Sequence, residues 1–300
     1  MKQKHWGYLF VLPFFLGVLV FQAYPLIDTI KTSFTNENFS QFNVVPQFVG
    51  LKNYVRELGS MLLAKAVLNT LIVAGLSLVI QFILSLAVVA ILTNPDLAIR
   101  RTWGWLVAFF LPSQLSVSAL TLYLISVLSP VYSVLPQVFS QGWFCWIVLS
   151  TCVIFLGFGI TSYFMVNTIR ALPKPLFEAA HVAGASGGQI FWHISLPQLK
   201  PLLVFLVIIS LILNLCLFDL PFALFPPGSS GQTASLGSNG GPGQAGLTIG
   251  TYAYQRAFLW DTDLGSGSAV SILLFGLIAL ISAFYFRLMK KTQDEFSVLQ

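Results

Sequence analysis

Six apolar runs, each of about 20 residues or more, dominate this chain and restrict it to one environment. They cover 7–30, 66–92, 103–128, 143–166, 202–224 and 266–286. A hydrocarbon core about 30 Å thick takes about 20 residues of helix to cross. No water is present there to satisfy open backbone groups, so each crossing must bond to itself. The spacing therefore predicts an all-α membrane protein with six transmembrane helices, organised as one domain over 1–300. Composition agrees, since 56% hydrophobic and 8% charged residues leave too little polar surface for a soluble globule.

Basic residues settle the expected orientation. Lys2 and Lys4 precede the first run, and Arg100 and Arg101 separate the second from the third. Arg170, Lys174 and Lys200 lie between the fourth and fifth, and Arg287, Lys290 and Lys291 follow the sixth. Lys and Arg are retained on the cytoplasmic side, so these ten of the fifteen basic residues place both termini there. Lys31, Lys52, Arg56, Lys65 and Arg256 are spread thinly over the opposing loops. The net charge of +5 thus reports topology, and no nucleic-acid partner is expected. The first run carries Pro13 and Pro25 and leads to no small-residue cleavage site, which reads as a retained signal anchor. Cys145, Cys152 and Cys216 all fall in apolar runs and read as small buried hydrophobes, outside any disulfide or metal framework.

Three loops face outward in this reading: 31–65, 129–142 and 225–263. The first contains FVGLKNY at 48–54 and is expected to cap the outer face with a strand or short helix. The third is rich in turn-formers from Pro226 to Gly246, and flexibility is expected there. Gly241, Gly243 and Gly246 match a bare GxGxxG, but no strand precedes them and no βαβ unit surrounds them. The chain has no GxxxxGK[ST], so ATP-driven work would fall to a partner.

The fourth and fifth runs are separated by a cytoplasmic segment, 170–200, too short for a domain and too patterned for a linker. Its centre, 177–201, reads FEAAHVAGASGGQIFWHISLPQLKP. Pro173 and Pro175 lead into helix formers at 176–182, with Glu178 in the first turn and a small-residue face at Ala179, Ala180 and Ala183. Gly184, Gly187 and Gly188 break that helix, and a second amphipathic piece at 189–194 is ended by Leu196 and Pro197. The expected result is an elbow of two short helices lying along the membrane. Its small residues admit a partner's backbone, and Glu178 offers a directional charge. A plain interfacial amphipathic loop is the competing reading. His181 and His193 are expected to be solvated or partner-facing, because their spacing lacks supporting ligands.

This segment resembles the signature loop of the membrane permeases of binding-protein-dependent ATP-binding cassette importers. The family pattern is Glu-Ala-Ala, two variable residues, Asp-Gly-Ala, then Ile-x-Leu-Pro. Glu178, Ala179, Ala180, Gly184, Ala185, Ile194, Leu196 and Pro197 match it, while Ala183 stands where the family has Asp. The carbohydrate-uptake branch is also matched by 48–54, by Asn69, Thr70 and Leu71, by Leu111 and Pro112, and by 239–242 before Tyr252, Ala253 and Tyr254. The 226–238 insertion is longer than usual for that branch. The resemblance implies a type I importer permease fold whose elbow is a coupling helix seated in a cytoplasmic ATPase. It further implies a second homologous permease, two ATPase subunits that hold ATP and Mg, and an extracytoplasmic solute-binding protein. This chain itself would bind no cofactor and would perform no chemistry. The cargo implied is a sugar, oligosaccharide, glycoside or related osmolyte.

Polar groups inside spans are functional hypotheses by default. At 1.5 Å per residue from Pro201, Asn214 lies about 20 Å in, and Asp219 about 27 Å in, near the rim. Asn214 reads equally as an interhelical hydrogen bond or as a substrate contact, since related sugar permeases line their pocket there. Ser210, Leu213 and Leu217 would share that lining, faced by Leu156, Gly157 and Ile160. Asp219, ahead of Leu220 and Pro221, reads as a cap or gate-region residue in preference to a proton site. A stand-alone secondary transporter would need coupling-ion sites at the midplane, and an intramembrane enzyme would need paired acids or a nucleophile–base set. The spans show neither.

Overall fold

A run that is apolar all round has no competing partner for its backbone in lipid, and so it becomes one long helix. The computed structural model describes residues 4–40, 44–97, 99, 102–134, 141–225 and 240–297. Lys2, Arg100, Arg101, Asn239 and the 226–238 insertion lie outside these, as does 135–140 of the second outward loop. Helices α1 (Lys4–Val18) and α2 (Tyr24–Ser33) are joined by a π turn, Leu19–Ala23. Next come α3 (Lys52–Leu58), α4 (Met61–Leu92), α5 (Thr102–Phe110), α6 (Val117–Val134) and α7 (Gly142–Arg170). The chain continues through α8 (Lys174–Val182), α9 (Gly187–Ile190), α10 (Leu196–Leu215), α11 (Asp219–Leu224), α12 (Ile249–Phe258) and α13 (Leu264–Ser297). No strand occurs among the described residues; two isolated antiparallel bridges, Thr35 with Phe48 and Asn38 with Asp263, are the only β pairings there.

Among the described residues, five segments are long and apolar enough to cross a membrane: Phe10–Ser33, Met61–Leu92, Gly142–Arg170, Gly187–Leu224 and Leu264–Arg287. The third expected span is present as a bent pair, Thr102–Gln114 and Ala119–Val127, turned by 88°. Its break coincides with a tight 3-10 turn, Leu111–Gln114, that opens on Pro112 and ends where Leu115 is extended. Proline lacks the N–H that would continue the ladder, so the apolar run does not stay straight. The fifth span also differs from expectation. It starts at Gly187, because α9 runs without a break through a π turn, Phe191–Ser195, into α10. Leu196 N–H bonds back to Phe191 O, and this wider turn opens the spacing that the ring of Pro197 would otherwise crowd. The second elbow piece is therefore the foot of a membrane helix and is not ended by Pro197.

The chain forms two compact units, Met1–Ala64 with Ile249–Leu277, and Lys65–Thr248 with Ile278–Gln300. The first unit is organised around Glu57, which is fully buried on α3. Tyr252 Oη donates to Glu57 Oε2 at 2.6 Å, and Arg256 donates to Oε1 through Nη2 at 2.8 Å and Nε at 3.2 Å. Arg256 also pairs with Asp261, and Arg56 with Asp263. Asn53, one turn before Glu57, donates to Ser33 O and Thr35 O at 2.9 and 2.8 Å. FVGLKNY therefore supplies a short helix whose polar face is turned inward.

In the second unit a polar stripe runs down the buried side of α4. Gln81 Nε2 donates to Thr161 Oγ1 at 2.7 Å, Ser85 Oγ to Phe158 O at 3.2 Å, and Asn214 Nδ2 to Ser77 Oγ at 3.1 Å. These bonds tie α4 to α7 and α10 where apolar contact alone gives little specificity. Asn69 is likewise satisfied, donating to Gln244 O and Leu247 O at 2.8 and 2.9 Å and accepting from Trp146 Nε1 at 3.1 Å. It pins 240–248 as a packed plug, with Leu247 and Thr248 fully buried. The flexibility expected of the third outward loop is thus absent from this part, because its backbone carbonyls are bonded to a buried side chain. Cys145 and Cys152 are buried as expected, but Cys216 is exposed because α10 ends at Leu215 and the chain turns there.

Candidate functional site: the elbow and the broken spans

The elbow starts with Pro173 as N-cap of α8 and Pro175 in its first turn, where a missing N–H costs nothing. At its other end Ala183 is the C-cap, Gly184 has φ +80°, Gly184 N–H bonds to His181 O at 2.9 Å and Ala185 N–H to Ala180 O at 3.0 Å. This is a Schellman stop, which closes the last carbonyls of the helix. Ser186 then caps α9 in a reciprocal box: its side chain accepts from Gln189 N–H, and its own N–H donates to Gln189 Oε1 at 2.9 Å. One helix is closed and the next opened within three residues, so the turn is stiff.

Burial divides the elbow into a seat and a face. Phe177 packs into a core built on Val89, Leu106, Val166 and Leu199, and Ala180 and Ala185 are half-buried. Glu178, Ala179, His181, Ala183 and Gly184 are exposed, and Val182 is 91% exposed. Val182 lies four residues after Glu178 on the helix, so this face presents an apolar side chain next to a carboxylate. Leu196 and Pro197 are half-buried at the foot of α10, away from that face in the sequence of turns. His193 is exposed, with Nδ1 against Gln189 O at 3.0 Å.

One part of the seat was missed in the sequence. Asp96 Oδ2 accepts the Gly187 N–H at 2.7 Å, and Asn94 Oδ1 accepts the Asp96 N–H at 2.9 Å. A Cβ on Gly187 would lie 2.0 Å from Asn94 Oδ1, so only glycine admits this approach. The signal was present in Asn94, Pro95 and Asp96, a turn-forming set just past α4, but a turn in sequence does not say what it touches.

The expected pathway residues are split by the structure. Asn214 is 5% exposed and hydrogen-bonded to Ser77, which is the interhelical reading of that residue. Gly157 lies under the Gln81 side chain, and Leu156 and Leu217 pack on the core around Leu149 and Leu220. Leu213 and Ile160 are exposed, at 65% and 40%, and Ser210 is half-buried. Asp219 is the exposed first residue of α11, and at the break before it Thr248 Oγ1 donates to Leu217 O at 2.8 Å.

The bend in the third span adds residues that sequence reasoning passed over. Ser113, Gln114 and Ser116 sit at the break, with Gln114 and Ser116 exposed. Non-helical backbone at membrane depth is stable only against protein or a water-filled cavity. Beside the break, Leu115, Ala119, Tyr123, Thr151 and Phe155 line an apolar recess of about 570 Å³.

These features, a two-helix elbow between spans and irregular backbone within them, belong to a known class. The family described as binding-protein-dependent transport system inner membrane component matches residues 101–294. The chain belongs to this family. It is a multi-pass permease component of an ABC transport system, and not an enzyme. The arabinooligosaccharides transport system permease protein AraP of Halalkalibacterium halodurans is 28% identical over 296 residues, covering 94% of this chain and 86% of that protein. The trehalose/maltose transport system permease protein MalF of Thermococcus litoralis is 29% identical over 315 residues, covering 98% and 96%. Among solved structures, a bacterial ABC transporter involved in the import of the acidic polysaccharide alginate superposes with a TM-score of 0.75 at 21% identity, covering 97% of this chain and 96% of that one. That likeness gives the permease the type I importer fold.

Proposed function

We propose that this permease is one of two that together form the pathway of a saccharide importer, with both termini in the cytoplasm. Its elbow is the point at which an ATPase partner takes hold. The observation that carries this reading is the division of the elbow into a seated back, at Phe177, and an open face carrying Glu178, Ala179 and Val182. A partner that grips this face differently with and without nucleotide would bias the permease between its two openings. ATP and Mg would be held by that partner. The oligosaccharide-related names of the relatives support a sugar or oligosaccharide cargo. A solved neighbour in complex with a pentasaccharide-bound periplasmic protein supports delivery by an extracytoplasmic binding protein. The exposed break at Gln114 and Ser116, together with Leu213, supplies the best candidates for the wall of the path.

The test is purification of the permease from its native membrane, followed by reconstitution. An ATPase subunit and a second permease are expected to copurify, and labelled oligosaccharide uptake is expected to need ATP. Combining Glu178→Ala with Gly184→Pro should lower ATP-dependent uptake at least about fivefold, the lower range of measured couplings. A complex without an ATPase, or a doubly substituted permease with native uptake, would refute the proposal.

A further inference from the structure

We infer that the Asn94–Asp96 turn is a second coupling element, in which the Asp96 carboxylate carries motion of the elbow into α4. This rests on the proposal that the elbow is the ATPase contact. The covalent chain already joins the elbow to α7 at one end and to α10 at the other. Neither route reaches α4, the helix whose polar stripe is bonded to both of them. Among the described residues, Arg170 at the start of the 170–200 segment bonds to Thr102 on α5, and Asp96 to Gly187 is the side-chain hydrogen bond that ties the α8–α9 turn itself to another element.

Its geometry is that of a strut. The carboxylate accepts a backbone N–H at 2.7 Å, the range of a charge-assisted bond. The Asp96 backbone is itself held by Asn94 Oδ1 at 2.9 Å, and Asn94 begins two residues past the end of α4. Gly187 is buried although Ser186 and Gly188 on either side are exposed. Ser186 and Gln189 lock the same turn from within. The elbow therefore cannot shift without dragging the 94–96 turn or breaking this bond. Ala183 contributes no acid on the elbow itself, and the acid that meets the turn comes from the other loop.

The experiment uses the whole reconstituted transporter with its binding protein, and reads three quantities: copurified ATPase, ATP hydrolysis, and saccharide taken up per ATP. Asp96→Ala is expected to assemble, to hydrolyse ATP within about twofold of native, and to lose at least about fivefold in uptake per ATP. Asp96→Asn keeps an oxygen acceptor and should restore at least about half of that loss. Gly187→Ala, which pries the turn away, should reproduce the defect. Unchanged uptake per ATP in Asp96→Ala overturns the inference. So does a defect in which assembly, hydrolysis and uptake fall together and Asp96→Asn gives no rescue, because the bond then serves folding alone. A native complex without any ATP-dependent uptake refutes the proposed function first, and this inference with it.

Discussion

Side chains that look alike in sequence do different work here according to what surrounds them. Glu178 and Glu57 are the clearest pair, one exposed on the elbow and the other fully buried. Removing the buried carboxylate leaves Arg256 with Asp261 and Tyr252 with Ser60 alone, and breaking such a buried pair costs about 3–5 kcal/mol. Glu57→Ala should therefore destabilise the permease by about that amount in denaturant titration, whereas Glu178→Ala should be silent there. Tyr252 gives the same network a pH signature. Burial, and then the hydrogen bond to Glu57, push its phenol from 10.0 up to about 12. A raised pKa means the neutral phenol is favoured in the fold, so its contribution is complete below about pH 10 and is lost as pH rises toward about 12. Alkaline unfolding monitored with phenolate absorbance should show that loss, and Tyr252→Phe should remove it.

Elements were legible where one rule acted alone. Uniform apolarity predicted α4, α7 and α13 well, because nothing along them competes with the helix ladder. The third run was legible as a span, but its bend was not, because Pro112 and three neighbouring polar residues counted little against its average hydropathy. The elbow was read as two pieces joined by glycines, which holds for α8 and its stop at Gly184. It failed at Pro197, where a π turn lets the helix continue. Packing between elements was not legible at all. Gly159 shows why: a Cβ there would lie 1.8 Å from Phe109 O, on the backbone of α5. Gly159→Ala should consequently force α5 off α7 and sharply reduce the yield of folded permease. Gly75→Ala, where nothing lies within 4 Å, should express normally in the same fluorescence-detected assay.

At the scale of the whole molecule, topology is the prediction that ties the proposal together. A phosphatase reporter fused after Ser297 should be inactive, and one inserted at Val45 in the first outward loop active. The reverse pattern would place the elbow on the wrong face for an ATPase. By itself the sequence determined that the chain must live in lipid as helices, and that a polar elbow interrupts them. Both follow from local chemistry, since backbone desolvation and Gly or Pro geometry act within a few residues. Only the tertiary structure decided that Asn214 is bonded to Ser77, that Asn69 pins the 240–248 plug, and that Asp96 meets the elbow. Those choices depend on which groups, far apart in the chain, share one buried space, and no local preference carries that information.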